Sequence, residues 1–273
     1  MKRPLVKFIA GFILPVAVII LIGKLNTLYA IIALLAYIAI FLYLSRVTVF
    51  TVIGSRNYAQ GKTELALKWF KRAHENEKSG IKHSVSYAYI LLKNAELEKS
   101  EEILKKLLKD HHDHQDVPYI KSNLALVLWK KGELDAAIQM LEEVIETYKT
   151  TSVYGSLGYL LLLKGDLEKA LQFNLQAHEY NSADKIILDN LGQNYYLLGM
   201  YDKCAEIYEP LVKVSPSFPE PYYNYGLLLA KQGEPGKALE MMKIALGSKF
   251  SYLSSITKEE VEAKVTEIEA GLE

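Results

Sequence analysis

The sequence predicts an all-α chain in which a transmembrane helical hairpin precedes an α-solenoid of about six helix pairs and a C-terminal capping helix. Three observations carry this. Two apolar runs fill the first fifth of the 273 residues, a motif recurs at a spacing near 34 through the remainder, and a capping box opens an amphipathic last stretch. The expected divisions are residues 1–50 for the hairpin, 47–253 for the solenoid and 254–273 for the capping helix.

Charge separates the same regions. The chain balances 32 Lys and Arg against 32 Asp and Glu. Residues 1–50, however, carry Lys2, Arg3, Lys7, Lys24 and Arg46 with no acidic residue, a net +5, which leaves the other 223 residues at −5. An acidic solenoid without a large Lys/Arg cluster is poorly suited to neutralising phosphates, so no nucleic-acid partner is expected. The single cysteine, Cys204, excludes an intrachain disulfide framework.

The first element is a helix over about residues 5–23. Leu5 to Gly23 is a run of 19 residues interrupted only by Lys7, and it spans ~28 Å as a helix. Lys7 lies close enough to the end to reach the interface, and Pro15 is expected to kink this helix rather than end it. The second helix covers about residues 25–45: Leu25 to Ser45 is a run of 21 uncharged residues, ~31 Å long, which matches a bilayer core. A cleaved signal peptide fits less well, because Lys24-Leu25-Asn26-Thr27 leads directly into the second run with no small-residue cleavage site. Lys2, Arg3 and Lys7 precede the hairpin and Arg46, Arg56, Lys62, Lys68, Lys71 and Arg72 follow it, against Lys24 alone in the loop. Both termini are therefore expected in the cytoplasm, with the chain a multi-pass integral protein of the plasma membrane. No Asp, Glu, His or Arg lies between Phe8 and Ser45, so the hairpin reads as an anchor and not as a transporter.

The remainder repeats. Gly61, Ala95, Gly132, Gly165, Gly199 and Gly233 follow one another at spacings of 34, 37, 33, 34 and 34. The clearest copy, residues 188–216, reads LDNLGQNYYLLGMYDKCAEIYEPLVKVSP. Leu188, Leu191-Gly192, Tyr195, Gly199, Cys204, Tyr208, Leu211 and Pro216 stand in an order that resembles the tetratricopeptide repeat, a helix-turn-helix unit. The resemblance covers residues 47–250 and is most specific in the last three copies; Ala95, Ser100, Lys78 and His112 depart from it in the first two.

Each residue type has a mechanical reason. Ala88, Ala125, Gly158, Gly192 and Gly226 are small where the first helix of a pair meets the second. Ala66, Ala137, Ala170, Cys204 and Ala238 are small on the partner helix. Leu128, Leu161, Tyr195 and Leu229 fill the wider space, and the turn glycines permit a left-handed cap between antiparallel helices. Such a hairpin cannot bury its apolar face alone, so neighbours stack. The first repeat begins at Val47, so its first helix, through Gly54, is expected to continue the second membrane helix without a flexible linker. Thr257-Lys258-Glu259-Glu260 forms the capping box, and Val261, Val265, Ile268 and Leu272 recur on one face of the last helix.

Motifs for chemistry are weak. Gly61-Lys62-Thr63 suggests a phosphate loop, but Arg56 stands where its first Gly is required, and Gly61 is already a repeat turn. His111-His112-Asp113-His114-Gln115-Asp116 offers metal-ligand types within one short loop, whereas structural zinc sites draw on separated pairs. Cys204 serves as a small core residue. No HExxH, GxSxG or paired-Cys motif occurs. No catalytic residue, metal site, cofactor or small-molecule substrate is expected.

The groove is more informative. The resemblance implies that one face of each first helix lines a concave surface, and that the position two before the Leu of the Leu-Gly pair lies along it. In this sequence those positions are Ser86, Asn123, Ser156, Asn190 and Asn224. Asn at this position implies an amide clamp on a peptide backbone, since one amide both donates and accepts. Tyr89, Trp129, Tyr159, Tyr196 and Tyr223 lie beside them, with Lys93, Lys130 and Lys231 near the helix ends. The expected function is a membrane-anchored, non-enzymatic scaffold or adaptor that binds a partner protein or extended peptide in this groove. The alternative is a structural subunit of a membrane assembly whose main contacts are made by the hairpin, where Gly11, Ala17, Ala30, Ala33, Ala36 and Ala39 permit close helix approach.

Overall fold

A computed structural model of the chain describes residues 9–271. Lys2, Arg3, Lys7, the start of the expected first span and Leu272 lie outside the described residues. Contacts divide the chain into two compact units, Met1–Ser84 and Val85–Glu273. Among the described residues every regular element is helical.

The first unit opens with a π-helical turn, Ile9–Ile13, followed by α1 (Leu14–Leu25) and α2 (Thr27–Leu44). Pro15 sits in the first turn of α1. The helical run passes through Pro15 without ending there, and the chain is π-helical just before it, since proline has no N–H to give to the fourth residue back. Only Asn26 separates α1 from α2; its extended backbone breaks the helix, and its Oδ1 accepts from Leu28 N at 2.9 Å and Tyr29 N at 3.3 Å. Neither helix buries a residue in the chain itself. Thr27–Leu44 is long and apolar enough to cross a membrane, while Gly11–Leu25 is a shorter apolar helix.

At Ser45 the helix breaks for one residue, and α3 (Arg46–Ala59) begins. The side chain of Ser45 donates to Phe41 O, and backbone bonds from Ser45 N to Phe41 O at 2.9 Å and from Val49 N to Ser45 O at 3.0 Å run across the break, so no linker separates the two helices. α3 pairs with α4 (Thr63–His74), joined through Gly61 at φ 76. Gly54 lies so close to Phe70 that a Cβ there would stand 2.9 Å from the ring.

The second unit begins within α5 (Ile81–Lys93). It continues with α6 (Leu97–Asp110), α7 (Val117–Lys130), α8 (Leu134–Thr147), α9 (Thr151–Lys164), α10 (Leu167–Tyr180), α11 (Lys185–Leu197), α12 (Tyr201–Lys213), α13 (Glu220–Lys231), α14 (Pro235–Gly247) and α15 (Lys258–Ala270). Odd-numbered helices from α5 to α13 are the first helices of pairs, and even-numbered ones the second. Each pair turns through a left-handed residue: Gly132, Gly165, Gly199 and Gly233, with Ala95 at φ 63 in the one position that lacks glycine.

Small residues do set the crossings, and the residue that fills each one is legible in hindsight. A Cβ on Gly158 would meet Asn174 Oδ1 at 2.1 Å, one on Gly192 the Tyr208 ring at 2.7 Å, and one on Gly226 Met242 Cε at 2.9 Å. The filling residue always stands 16 positions after the glycine, as it does for Gly54 and Phe70. Tyr208 and Met242 are fully buried, and side chains of that size contribute about 1.5–3 kcal/mol each. The capping box of α15 forms as expected, with Val261 and Ile268 buried against the last pair.

Candidate functional site on the first-helix face

The three Asn residues of the expected groove lie at 3–8% exposure, and each amide nitrogen is engaged within the chain. Asn190 donates to Gly155 O at 2.8 Å and so latches α11 to α9; Asn224 donates to Asp189 Oδ1 at 3.1 Å and latches α13 to α11. Asn123 donates to Tyr119 O within α7 at 2.9 Å. Ser86 and Ser156 are half-buried, and Ser86 interacts with the Tyr119 hydroxyl. Tyr196 rests against Tyr201 with ring centroids 5.8 Å apart. Tyr223 packs in the core cluster that holds Val261 and Ile268.

Trp129, Tyr159, Lys93 and Lys130 converge elsewhere on the same face, around the chain's own residues 249–257. This segment is non-helical and links α14 to α15. Its centre is a turn in which Ser254 N donates to Ser251 O at 2.9 Å. Tyr252 N donates to Lys93 O at the end of α5, at 3.2 Å. Lys130 Nζ donates to Ser254 O at 3.4 Å, and Ser255 N donates to Glu220 Oε1 at 2.8 Å. Thus α5, α7 and α13 each grip the main chain of one short segment.

Aromatic rings complete the site. The Lys130 ammonium lies 4.1 Å from the Trp129 ring centroid and 5.0 Å from that of Tyr252, so two rings share one cation. Trp129 meets Tyr159 edge-on at 5.3 Å. Lys93 lies 5.6 Å over the Tyr89 ring.

The floor of the site is polar, with Glu220 buried and Lys93, Lys130 and Tyr159 half-buried. Burial pulls Lys93 and Lys130 below the usual lysine range, the nearby Lys249 charge lowering Lys93 further while Glu220 acts the other way on both. Burial raises Glu220 against the hydrogen bonds from Ser255. Tyr159 is pushed up to about 12 by burial, opposed by its contact with the Ser255 side chain. Glu220 Oε2 has no donor of good hydrogen-bond geometry, although the Ser254 and Ser255 side chains lie close enough to favour its charge. Beside it, Asp189 accepts from Tyr208 Oη at 3.0 Å and from Asn224.

Other sequence motifs have plain places. In the 111–116 loop, His114 Nδ1 accepts from Asp116 N at 3.1 Å and His112 pairs with Asp113. Among the described residues no three metal-ligand side chains are grouped to hold an ion. Cys204 is buried at the α11–α12 crossing, and burial raises its thiol to about 12, which makes it unreactive. Glu220 and residues 249–257 were not singled out by sequence reasoning: an acidic residue in a first helical turn looks like ordinary dipole complementation, and a non-periodic stretch carries no repeat signal.

Comparison with known proteins agrees with this architecture. Residues 119–152 match the family model described as Tetratricopeptide repeat. The TPR repeat-containing protein YvcD of Bacillus subtilis (strain 168) is 30% identical over 127 residues, 46% of this chain and 26% of its own length. The chain spans only 24 to 28% of the length of the curated relatives it matches. A tetratricopeptide repeat protein from Parabacteroides merdae ATCC 43184 has the same fold at a TM-score of 0.63 and 17% identity, covering 91% of this chain and 94% of that one. The APC/C hetero-tetramer Cut9-Hcn1 aligns at a TM-score of 0.65 and 14% identity, over 81% of this chain and 42% of that one. Residues 119–152 thus match a tetratricopeptide repeat, and the period near 34 with helix pairs turned through left-handed residues gives the chain a fold similar to that of tetratricopeptide repeat proteins.

Proposed function

We propose that this chain is a membrane-anchored adaptor, held in the plasma membrane by its N-terminal hairpin with both termini in the cytoplasm, whose first-helix face takes a segment of a partner protein. One observation supports the recognition role above others: this face already holds a polypeptide segment by its backbone, through Lys93 O, Lys130 Nζ and Glu220 Oε1. Fixed groups that meet main-chain donors and acceptors, flanked by Trp129 and Tyr159, are the means by which folds of this kind bind peptides. Anchoring draws its support from α1 and α2, whose Leu, Ile and Phe side chains stand outside any core.

The test is photocrosslinking in native membranes from a photoreactive residue placed at position 129 of the full chain. A discrete protein adduct that disappears with Lys130→Glu is expected; an abundant, folded chain that yields no adduct counts against the adaptor reading. A reporter fused after Glu273 should be active in the cytoplasm, and external activity would overturn the orientation.

A further inference from the structure

Residues 249–257 do more than connect two helices. A linker that only had to span from α14 to α15 could lie on apolar surface, at no electrostatic cost. The turn of this one lies on Lys93, Lys130, Glu220 and Tyr159, which come from α5, α7, α13 and α9, and it reaches across 124 positions of sequence to Lys130 and further still to Lys93. Removing several ionisable groups from water is unfavourable unless each meets a partner. Here the segment's backbone partners two of them, Ser254 O for Lys130 and Ser255 N for Glu220, while Tyr252 N meets the main-chain carbonyl of Lys93. The match is incomplete, since Glu220 is 8% exposed and its Oε2 lacks a donor. Tyr252 also stays 37% exposed at the edge of the site. Phe250 and Ile256, half-buried, pack against the cluster that holds Val261 and Ile268 and anchor the two ends of the segment, whereas the turn between them, residues 251–255, is held by a few polar contacts and one ring.

We propose that the turn at residues 251–255 is a built-in occupant of the first-helix face, and that the partner segment this face takes when the turn lifts away is a turn of the same chemistry. Such a turn carries an aromatic side chain to share Lys130 with Trp129, a backbone N–H three residues later for Glu220, and neutral hydroxyl or amide donors for the remaining Glu220 oxygen. Lys93 and Lys130 flank Glu220, so a cationic side chain is disfavoured there. This inference rests on the adaptor reading for its biological partner, but it adds two things: the ligand is a turn rather than an extended strand, and the site is closed until the internal turn is displaced. While closed, the apparent affinity for an external segment falls by the fraction of chains that are open.

The experiment uses the full chain in detergent and a fluorescein-labelled synthetic peptide with the sequence of residues 247–258. Tyr252→Ala, which removes the ring from Lys130, and Ser255→Pro, which removes the N–H given to Glu220, should each raise peptide affinity by about tenfold over the native chain. Adding Lys130→Ala to either variant should abolish the gain, and a peptide with Ala in place of the tyrosine should bind to none of them. Equal binding by native and released chains, or no binding by released chains whose unfolding transition is intact, overturns the proposal. If Ser255→Pro unfolds the last pair, Tyr252→Ala carries the same comparison with every backbone bond left in place. The adaptor reading fails separately, by the absence of a crosslinked protein in membranes, whatever the peptide does.

Discussion

The hydroxyl of Tyr37 on α2 donates to the carbonyl of Gly11 at 3.0 Å, across the hairpin. In an α-helix that carbonyl would accept from the N–H of residue 15, and residue 15 is Pro. A side chain from the second helix thus supplies a donor to a carbonyl that proline leaves without one from residue 15. Tyr37→Phe should lower hairpin stability by about 0.5–1.5 kcal/mol, read as the midpoint of unfolding in mixed micelles. The same change made with Pro15→Ala should cost less, because the alanine N–H then serves Gly11. Equal costs in the two backgrounds would refute this account.

Close packing at the crossings gives a second expectation. A Cβ on Gly158 would overlap Asn174 Oδ1, and one on Gly192 would overlap the Tyr208 ring. Asn174 Nδ2 is already tied to Asn194 Oδ1 at 3.1 Å, and Tyr208 Oη to Asp189, so neither neighbour can move freely. Gly158→Ala and Gly192→Ala should each destabilise the full chain by about 1–3 kcal/mol in denaturant unfolding. Gly236→Ala, with nothing within 4 Å, is the control and should be close to neutral.

Ala95 is strained where the other pairs use glycine, at φ 63. A left-handed L-residue costs about 1–2 kcal/mol, and glycine gives back about 0.5–1 kcal/mol of that in chain entropy. Ala95→Gly should therefore raise the melting temperature of the full chain, while Gly165→Ala, at φ 89, should lower it. A neutral or lower melting temperature for Ala95→Gly would show that the turn is set by other contacts.

These residues also show what the sequence made legible. The turn positions and the small residues at the crossings follow from local rules, because one backbone conformation or one close approach allows only a few residue types. The 16-residue offset from each glycine to its filling side chain was present in the same pattern. The engagement of Asn190 with Gly155 and of Asn224 with Asp189 was not legible, since it joins residues 35 apart on neighbouring repeats and depends on how the pairs stack. Among the groove aromatics, Trp129 and Tyr159 meet, while Tyr223 joins the packing of the capping helix. The turn at residues 251–254 leaves no periodic trace, so only the folded chain brings it to Lys93, Lys130 and Glu220.

Asp189 gives a pH dependence whose sign is fixed by its surroundings. It is buried on α11, and burial, reinforced by the Glu220 charge, raises its carboxyl to about 7 against hydrogen bonds from Asn224 and Tyr208 that act the other way. Its charge in turn raises the Cys204 thiol and the Tyr208 and Tyr159 hydroxyls. An unfolded aspartate titrates near ~3.9, so between that pH and about 7 the folded chain binds more protons than the unfolded one. The stability contributed by protonated Asp189 is fully present below the unfolded value and is lost as pH rises through the folded one. Asp189→Asn keeps an oxygen for Tyr208 and Asn224 but carries no charge, so it should melt higher than the native chain at pH 8. The two melting curves should converge towards pH 4. A variant that melts lower at pH 8, or a difference that does not shrink on acidification, would show that Asp189 is held ionised in the fold.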